Sequence, residues 1–140
     1  MVEEINFMDT PGGYGAVAVK AVELLRSKNA PNQKFAWDQA ASIILDAKSS
    51  KEKGCPKAAF LGLCEEGLIK GVKPGSYCTS SENKSYALKA IQALRKNPDL
   101  RFDANNLWTE VLRLSGKNIS HNHQMEVVIA LWNRNLIDIE

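Results

Sequence analysis

The chain has 140 residues, of which 44% are hydrophobic and 24% are charged, a length and composition typical of one globular domain with its own core. Its formal charge of +2 argues against a general electrostatic attraction to nucleic acid or membranes. Three cysteines without zinc-like spacing predict free thiols, no metal site and no cofactor. The longest apolar run, residues 58–64, is too short to cross a bilayer, and the acidic start lacks a secretory signal, so we expect a cytoplasmic protein.

The first half of the chain predicts three helices after an N-terminal tail at residues 1–13. Apolar residues recur three and four positions apart over residues 14–25, which indicates an amphipathic helix. The same spacing around Trp37 indicates a second helix. The third, residues 56–66, is apolar on nearly every side, a pattern typical of a buried helix.

The second half repeats this order after a turn-rich linker at residues 71–83. Its first helix is predicted around residues 87–94 and ends before Pro98, which disfavours helical backbone in the preceding residue. A second helix follows around residues 108–115. The last, residues 122–134, is again apolar all round. The chain is therefore predicted to have an all-α fold, a compact bundle of about six helices.

Three segments of the first half match three segments of the second half in the same order. The pairs are residues 18–26 with 87–95, Trp37 with Trp108, and residues 61–69 with 129–137. This series predicts an internal repeat of a three-helix unit, at about residues 14–71 and 84–138 of a single helical domain spanning residues 14–140. Two unrelated amphipathic patterns that happen to be similar are the alternative.

The third helix of each half has a matching stop signal. Gly67 and Asn135 are residue types that tolerate left-handed backbone just after a helix, and each is followed by a leucine. We therefore expect both helices to end in the Schellman arrangement. Because both are strongly apolar, we also expect them to lie side by side at the centre of the bundle.

Lysines surround the predicted start of the third helix. Lys51, Lys53 and Lys57 are candidate anion-binding residues, because the free N–H groups of a helix start favour a phosphate or carboxylate. The alternative, which we favour, is a solvated loop. Lys20 and Arg26 on the first helix are likewise typical of solvated surface. DNA reading by a helix-turn-helix is disfavoured, because the helices that would enter the groove are the most apolar in the chain.

A cysteine lies next to the same helix start, in a cationic setting that lowers a thiol pKa. This residue is Cys55, and its counterpart in the second half is His123, with His121 two residues earlier. A Cys–His catalytic pair is conceivable if the two helix starts meet. The alternatives are a capping cysteine and helix-cap histidines. Cys64 is expected to be core, as are the tryptophans.

The Lys-Gly-Cys-Pro-Lys run at residues 53–57 continues in a distinctive pattern to residue 71. Together with residues 86–90 and 123–132, it resembles a family of small uncharacterised bacterial proteins, over most of the chain after about residue 14. The resemblance implies a bacterial origin and a shared helical fold. It implies no activity and no site.

These patterns favour a non-enzymatic helical module for binding or regulation. Its candidate partners are another protein or a second copy of the chain, and a membrane is not expected. An anion or nucleic-acid binder that uses the three lysines is one alternative, with nucleic acid not favoured. A small thiol enzyme that uses Cys55 with His121 or His123 is the other.

Overall fold

The computed structural model describes residues 13–45, 54–74, 81–117 and 123–138. Over these ranges the helices are α1 (Tyr14–Arg26), α2 (Gln33–Ile44), α3 (Gly54–Glu65), α4 (Ser81–Lys96), a 3-10 helix (Pro98–Phe102), α5 (Ala104–Ser115) and α6 (Gln124–Asn133). The same ranges contain no strand, only an isolated antiparallel bridge between Ile69 and Ile137. The all-α prediction is confirmed. Almost all of the predicted tail, and the middle of the linker, lie outside the described residues.

The second helix of each half begins at a side-chain cap. Asn32 accepts a hydrogen bond from the backbone N–H of Phe35 at 2.8 Å. Asp103 accepts from the N–H groups of Asn105 at 3.0 Å and Asn106 at 3.2 Å. Each cap satisfies donors that the first helical turn leaves without an intrahelical partner. The caps explain why α2 and α5 begin several residues before the tryptophans that predicted them.

The tryptophans of the two second helices are core residues, as predicted. Trp37 and Trp108 are buried, and each meets an aromatic ring of another helix. Trp37 lies 5.4 Å from Phe60 of α3, and Trp108 meets Tyr86 of α4 edge-on at 5.3 Å, measured between ring centroids. Such pairs add about 0.5–1.5 kcal/mol beyond the burial of their surface. Trp132 is only half-buried and packs against the edge of the core.

The two apolar helices, α3 and α6, contact each other within the bundle. In α3, residues 58–64 are buried throughout, as their all-round apolar pattern predicts. In α6, residues 124–128 and Leu131 are buried, whereas Ile129 and Ala130 are half-buried. The last helix therefore lies nearer to the surface than the sequence pattern indicates.

Both helices end as the sequence predicts. Gly67 and Asn135 have left-handed backbone, with φ of 73° and 60°. In each case the following N–H donates to the carbonyl five residues back, from Leu68 to Leu63 at 3.1 Å and from Leu136 to Leu131 at 2.9 Å. These are the hydrogen bonds of the Schellman arrangement, and they satisfy carbonyls that a helix end otherwise leaves open.

The two segments that follow these helix ends pair with each other. The N–H of Lys70 donates to the carbonyl of Leu136 at 2.9 Å, and the N–H of Asp138 donates to the carbonyl of Leu68 at 2.7 Å. The bridge therefore holds the C-terminal ends of α3 and α6 together.

The first helices pack differently in the two halves. The start of α1 meets the start of α6, where Tyr14 contacts His123, and the last turn of α1 shares a groove with Arg134. By contrast, the start of α4 meets the end of α3, where Lys84 binds Glu65 at 2.9 Å. The halves thus agree in helix order and in the caps and stops, but not in this packing. The internal duplication stays a prediction.

Candidate functional site

Of the six candidate site residues that the sequence suggests, Lys57, Cys55 and His123 lie in the described part of the chain. Lys51, Lys53 and His121 lie outside it. Lys57, in the first turn of α3, forms an ion pair of 2.9 Å with Asp38 of α2. An anion bound at the start of α3 would therefore have to compete with this carboxylate for Lys57.

The two cysteines within the described ranges are free thiols, as predicted, in different surroundings. Cys55 is half-buried in the first turn of α3. Cys64 is fully buried on the same helix, and this burial raises the pKa of its thiol far above the usual range. Cys64 is thus the core residue that the sequence predicts, and Cys55 is the more accessible of the two.

His123 is the N-cap residue of α6, so it lies at a helix start as predicted, but its side chain makes no cap hydrogen bond. Its ring centroid is 4.8 Å from that of Tyr14, and its Nδ1 atom is 3.7 Å from Oε1 of Glu126. Glu126 is buried in the first turn of α6, where the helix dipole favours a carboxylate. Beside it, the buried Gln124 donates to Asn83 Oδ1 at 2.9 Å.

This polar cluster connects the starts of α1, α4 and α6. Its members come from three separated parts of the chain, so no local pattern in the sequence indicates it. The predicted pairing of Cys55 with His121 or His123 stays a prediction. The contacts described for His123 are with Tyr14 and Glu126.

A groove of about 780 Å³ opens between the second half of α1 and the residues that follow α6. Its volume lies within the range of about 300–1,000 Å³ that is usual for ligand sites. The apolar side chains along it are Val19, Val22, Leu24 and Leu136. Three basic residues, Lys20, Arg26 and Arg134, border it with one carboxylate, Glu23. We call this feature the basic groove.

One wall of the basic groove depends on a close approach to backbone. A Cβ atom added at Gly71, whose φ is +81°, would lie 2.9 Å from Nε of Arg26. The Arg26 side chain therefore runs directly against Gly71, next to the bridge that joins the ends of α3 and α6. The sequence shows Lys20 and Arg26 as ordinary surface residues. Nothing in their spacing indicates that Arg134 joins them.

The described helices include none that is long and apolar enough to cross a membrane. In the same part of the chain, no three His, Cys, Asp or Glu side chains are close enough together to hold a metal ion.

The fold and the groove define an all-α domain with a groove lined by apolar and basic side chains. The chain belongs to DUF6979, a family of unknown function whose model matches residues 11–138. No curated protein and no solved structure matches the chain. The family agrees with the resemblance to uncharacterised proteins, and it assigns no activity.

Proposed function

We propose that this protein is a non-catalytic binding module, and that its basic groove takes an acidic segment of a partner protein. The observation that carries the proposal is the composition of the groove, which combines an apolar floor with three cations and one carboxylate. We further propose that the protein acts in the cytoplasm of a bacterium, as the sequence and the resemblance indicate.

The charges along the groove favour an acidic ligand. Glu23 lies 3.4 Å from Nζ of Lys20, so this carboxylate is already balanced within the groove. Arg26 and Arg134 add two further positive charges at the end of the groove nearest to α6. Arginine suits this role, because its planar guanidinium forms paired hydrogen bonds with a carboxylate and stays charged at every physiological pH.

The apolar floor favours a peptide over a simple inorganic anion. Leu24 and Leu136 are half-buried, so they offer surface that an apolar side chain of a partner can cover. Burial of such surface contributes about 25 cal/mol per Å², whereas exposed charge pairs contribute only about 0.2–1 kcal/mol each. We infer that apolar contacts and charge pairs both contribute to the affinity, and that the cations select acidic sequences.

The other functions that the sequence suggests stay predictions. The anion site at Lys51, Lys53 and Lys57 has less support, because Lys57 already forms an ion pair with Asp38. A thiol enzyme at Cys55 would need a base beside the sulfur atom, and the pairing with His121 or His123 stays a prediction. Self-association remains a competing use of the groove, which the experiment below separates from peptide binding.

The test is a fluorescence anisotropy titration of the full chain with a labelled peptide composed of Glu and Leu. A peptide of the same length composed of Lys and Leu is the charge-inverted probe. We expect binding of the acidic peptide only, and at least about tenfold weaker binding by the Arg26→Glu, Arg134→Glu double variant. Raising the salt from about 0.05 M to 0.5 M should weaken binding, because the cations are at the surface.

The matched control is the Lys34→Glu, Arg95→Glu double variant, which reverses two exposed cations of α2 and α4 outside the groove. The proposal is wrong if this control weakens binding as much as the Arg26→Glu, Arg134→Glu variant does. It is also wrong if the two peptides bind equally well, or if single-stranded nucleic acid binds more tightly than the acidic peptide. Concentration-dependent sedimentation that the Arg26→Glu, Arg134→Glu variant abolishes would favour self-association instead.

A further inference from the structure

A second, smaller cavity of about 240 Å³ lies between the end of α4, the 3-10 helix and α5. At about 30 Å³ per water molecule, this volume corresponds to roughly eight waters, which is enough for a small metabolite and too little for a peptide. The polar residues of its wall include Lys96, Asn97, Asn106, Thr109, Glu110 and Arg113. None of them belongs to the basic groove.

One cation in this cavity is held in a defined orientation. Nε of Arg113 lies 3.1 Å from each carboxylate oxygen of Glu110, and Nη2 of Arg113 also binds Oε2. Glu110 thus engages one edge of the guanidinium. These bonds use Nε and Nη2, which leaves Nη1 to donate to another acceptor.

The charge of the cavity is positive overall. Lys96 and Arg113 contribute two positive charges, and Glu110 contributes one negative charge. The same two cations both lower the pKa of Glu110, Arg113 more strongly than Lys96, so this carboxyl is ionised at neutral pH. A ligand with a single negative charge would neutralise the site.

The remaining polar groups suit a ligand that also forms hydrogen bonds. The Asn106 amide donates to Asp103 at 3.1 Å, so its own oxygen is left to accept. The Thr109 hydroxyl donates to the carbonyl of Asn105 at 3.0 Å, so its oxygen lone pairs are left to accept. Asn97 adds a further amide to the lining.

We propose that this cavity is a binding site for a small organic carboxylate that carries at least one hydroxyl or amino group. Arg113, oriented by Glu110, binds the carboxylate, and Lys96 supplies the second positive charge. Asn106 and Thr109 accept hydrogen bonds from the ligand's own donor. The site does not depend on the proposed function of the basic groove, and each can fail without the other.

The test uses heteronuclear NMR on the full chain with L-lactate as the probe. Lactamide is the matched control ligand, since it has the same shape and hydroxyl group without the charge. We expect lactate to shift the backbone resonances of Asn97 and Asn106 and the Nε–H resonance of Arg113. Lactamide should bind at least about tenfold more weakly.

Two variants locate the binding within the molecule. Arg113→Gln should weaken lactate binding at least about tenfold, and Thr109→Trp should abolish it by filling the cavity. Arg26→Glu, in the basic groove, should leave lactate binding unchanged, which separates this proposal from the peptide site.

The proposal is overturned if lactate and lactamide shift the same resonances equally, if the shifts map to the basic groove, or if the Arg113→Gln protein binds lactate as the unaltered chain does. Thr109 is exposed, and Arg113→Gln provides an independent result should the tryptophan variant fold poorly.

Discussion

Two helices approach each other closely where α3 crosses the start of α4, and this approach depends on Gly62. A Cβ atom at this position would lie 2.7 Å, 2.8 Å and 2.9 Å from Cβ, Cγ and Cα of Lys84. Because one of these atoms belongs to the backbone, a rotamer change of Lys84 cannot relieve the clash. The start of α4 would have to move, and the ion pairs of Lys84 with Glu65 and Glu66, at 2.9 Å and 2.6 Å, would be disturbed.

Gly62→Ala therefore combines two opposing effects. Overpacking of this kind costs about 1–3 kcal/mol, and replacing a mid-helix glycine by alanine gains about 1 kcal/mol. Because the clash involves backbone, we expect a steric cost in the upper part of that range, about 2–3 kcal/mol, and hence a net loss of about 1–2 kcal/mol in the free energy of unfolding. The measurement is urea unfolding monitored by circular dichroism. The slope of the free energy of unfolding against urea concentration should stay unchanged, which indicates that the same structure unfolds.

The control is a site where only helix propensity changes. Gln39 is exposed on α2, so comparing Gln39→Gly with Gln39→Ala measures the gain from glycine to alanine without a clash. The close approach of α3 and α4 is contradicted if the Gly62→Ala protein is as stable as the unaltered chain. It is also contradicted if Gly62→Ala raises the stability by the difference measured between Gln39→Gly and Gln39→Ala.

Three further predictions concern single sites. Lys28 is exposed and has left-handed backbone (φ 64°), which is strained for a residue with a Cβ atom. Lys28→Gly should therefore stabilise the protein by about 0.5–1 kcal/mol and raise Tm by about 3 °C in a calorimetric scan, and an unchanged or lower Tm would contradict this. Iodoacetamide at neutral pH should modify Cys55 and spare the buried Cys64 until the protein unfolds, as mass spectrometry of peptides would show. Arg113 lowers the pKa of Glu110 from 4.5, so the Arg113→Gln protein should be less stable than the unaltered chain above pH 4.5, and this difference in stability should shrink as the pH falls through the lowered pKa. Urea unfolding at several pH values measures the difference, and a difference that grows in acid would refute the prediction.

The helices and their order could be predicted because they depend on local patterns. The apolar stripe around Trp37, the all-round apolar run that follows Pro56, and the stop at Gly67 each involve a few consecutive residues. The 3-10 helix Pro98–Phe102 was not predicted, since the proline indicated only where the preceding helix ends. The cap at Asp103 was also missed, although an Asp before a helical stripe is a usual start signal.

The candidate sites could not be predicted in the same way. The basic groove combines α1 with Arg134, more than 100 residues further along the chain. The cluster around Glu126 likewise needs Tyr14 and Asn83 beside it. Each of these residues is unremarkable in its own segment, and only the packing of α1 and α4 against α6 makes them neighbours. The lysines near α3 attracted attention because they are neighbours in sequence, yet the described one of them, Lys57, binds within the protein.

The basic groove lies at a junction where the two halves pack differently. The end of α1 lies beside the end of α6, so Arg26 and Arg134 share a surface next to the bridge at Ile69 and Ile137. On the other side it is the start of α4 that lies against the end of α3, and there Lys84 fills the space and pairs with two glutamates. If the chain arose by duplication, a shared helix order was kept while one junction closed around an ion pair and the other stayed open. A ligand that recognises the assembled domain would therefore bind at the open junction, and the charge reversals at Arg26 and Arg134 test this.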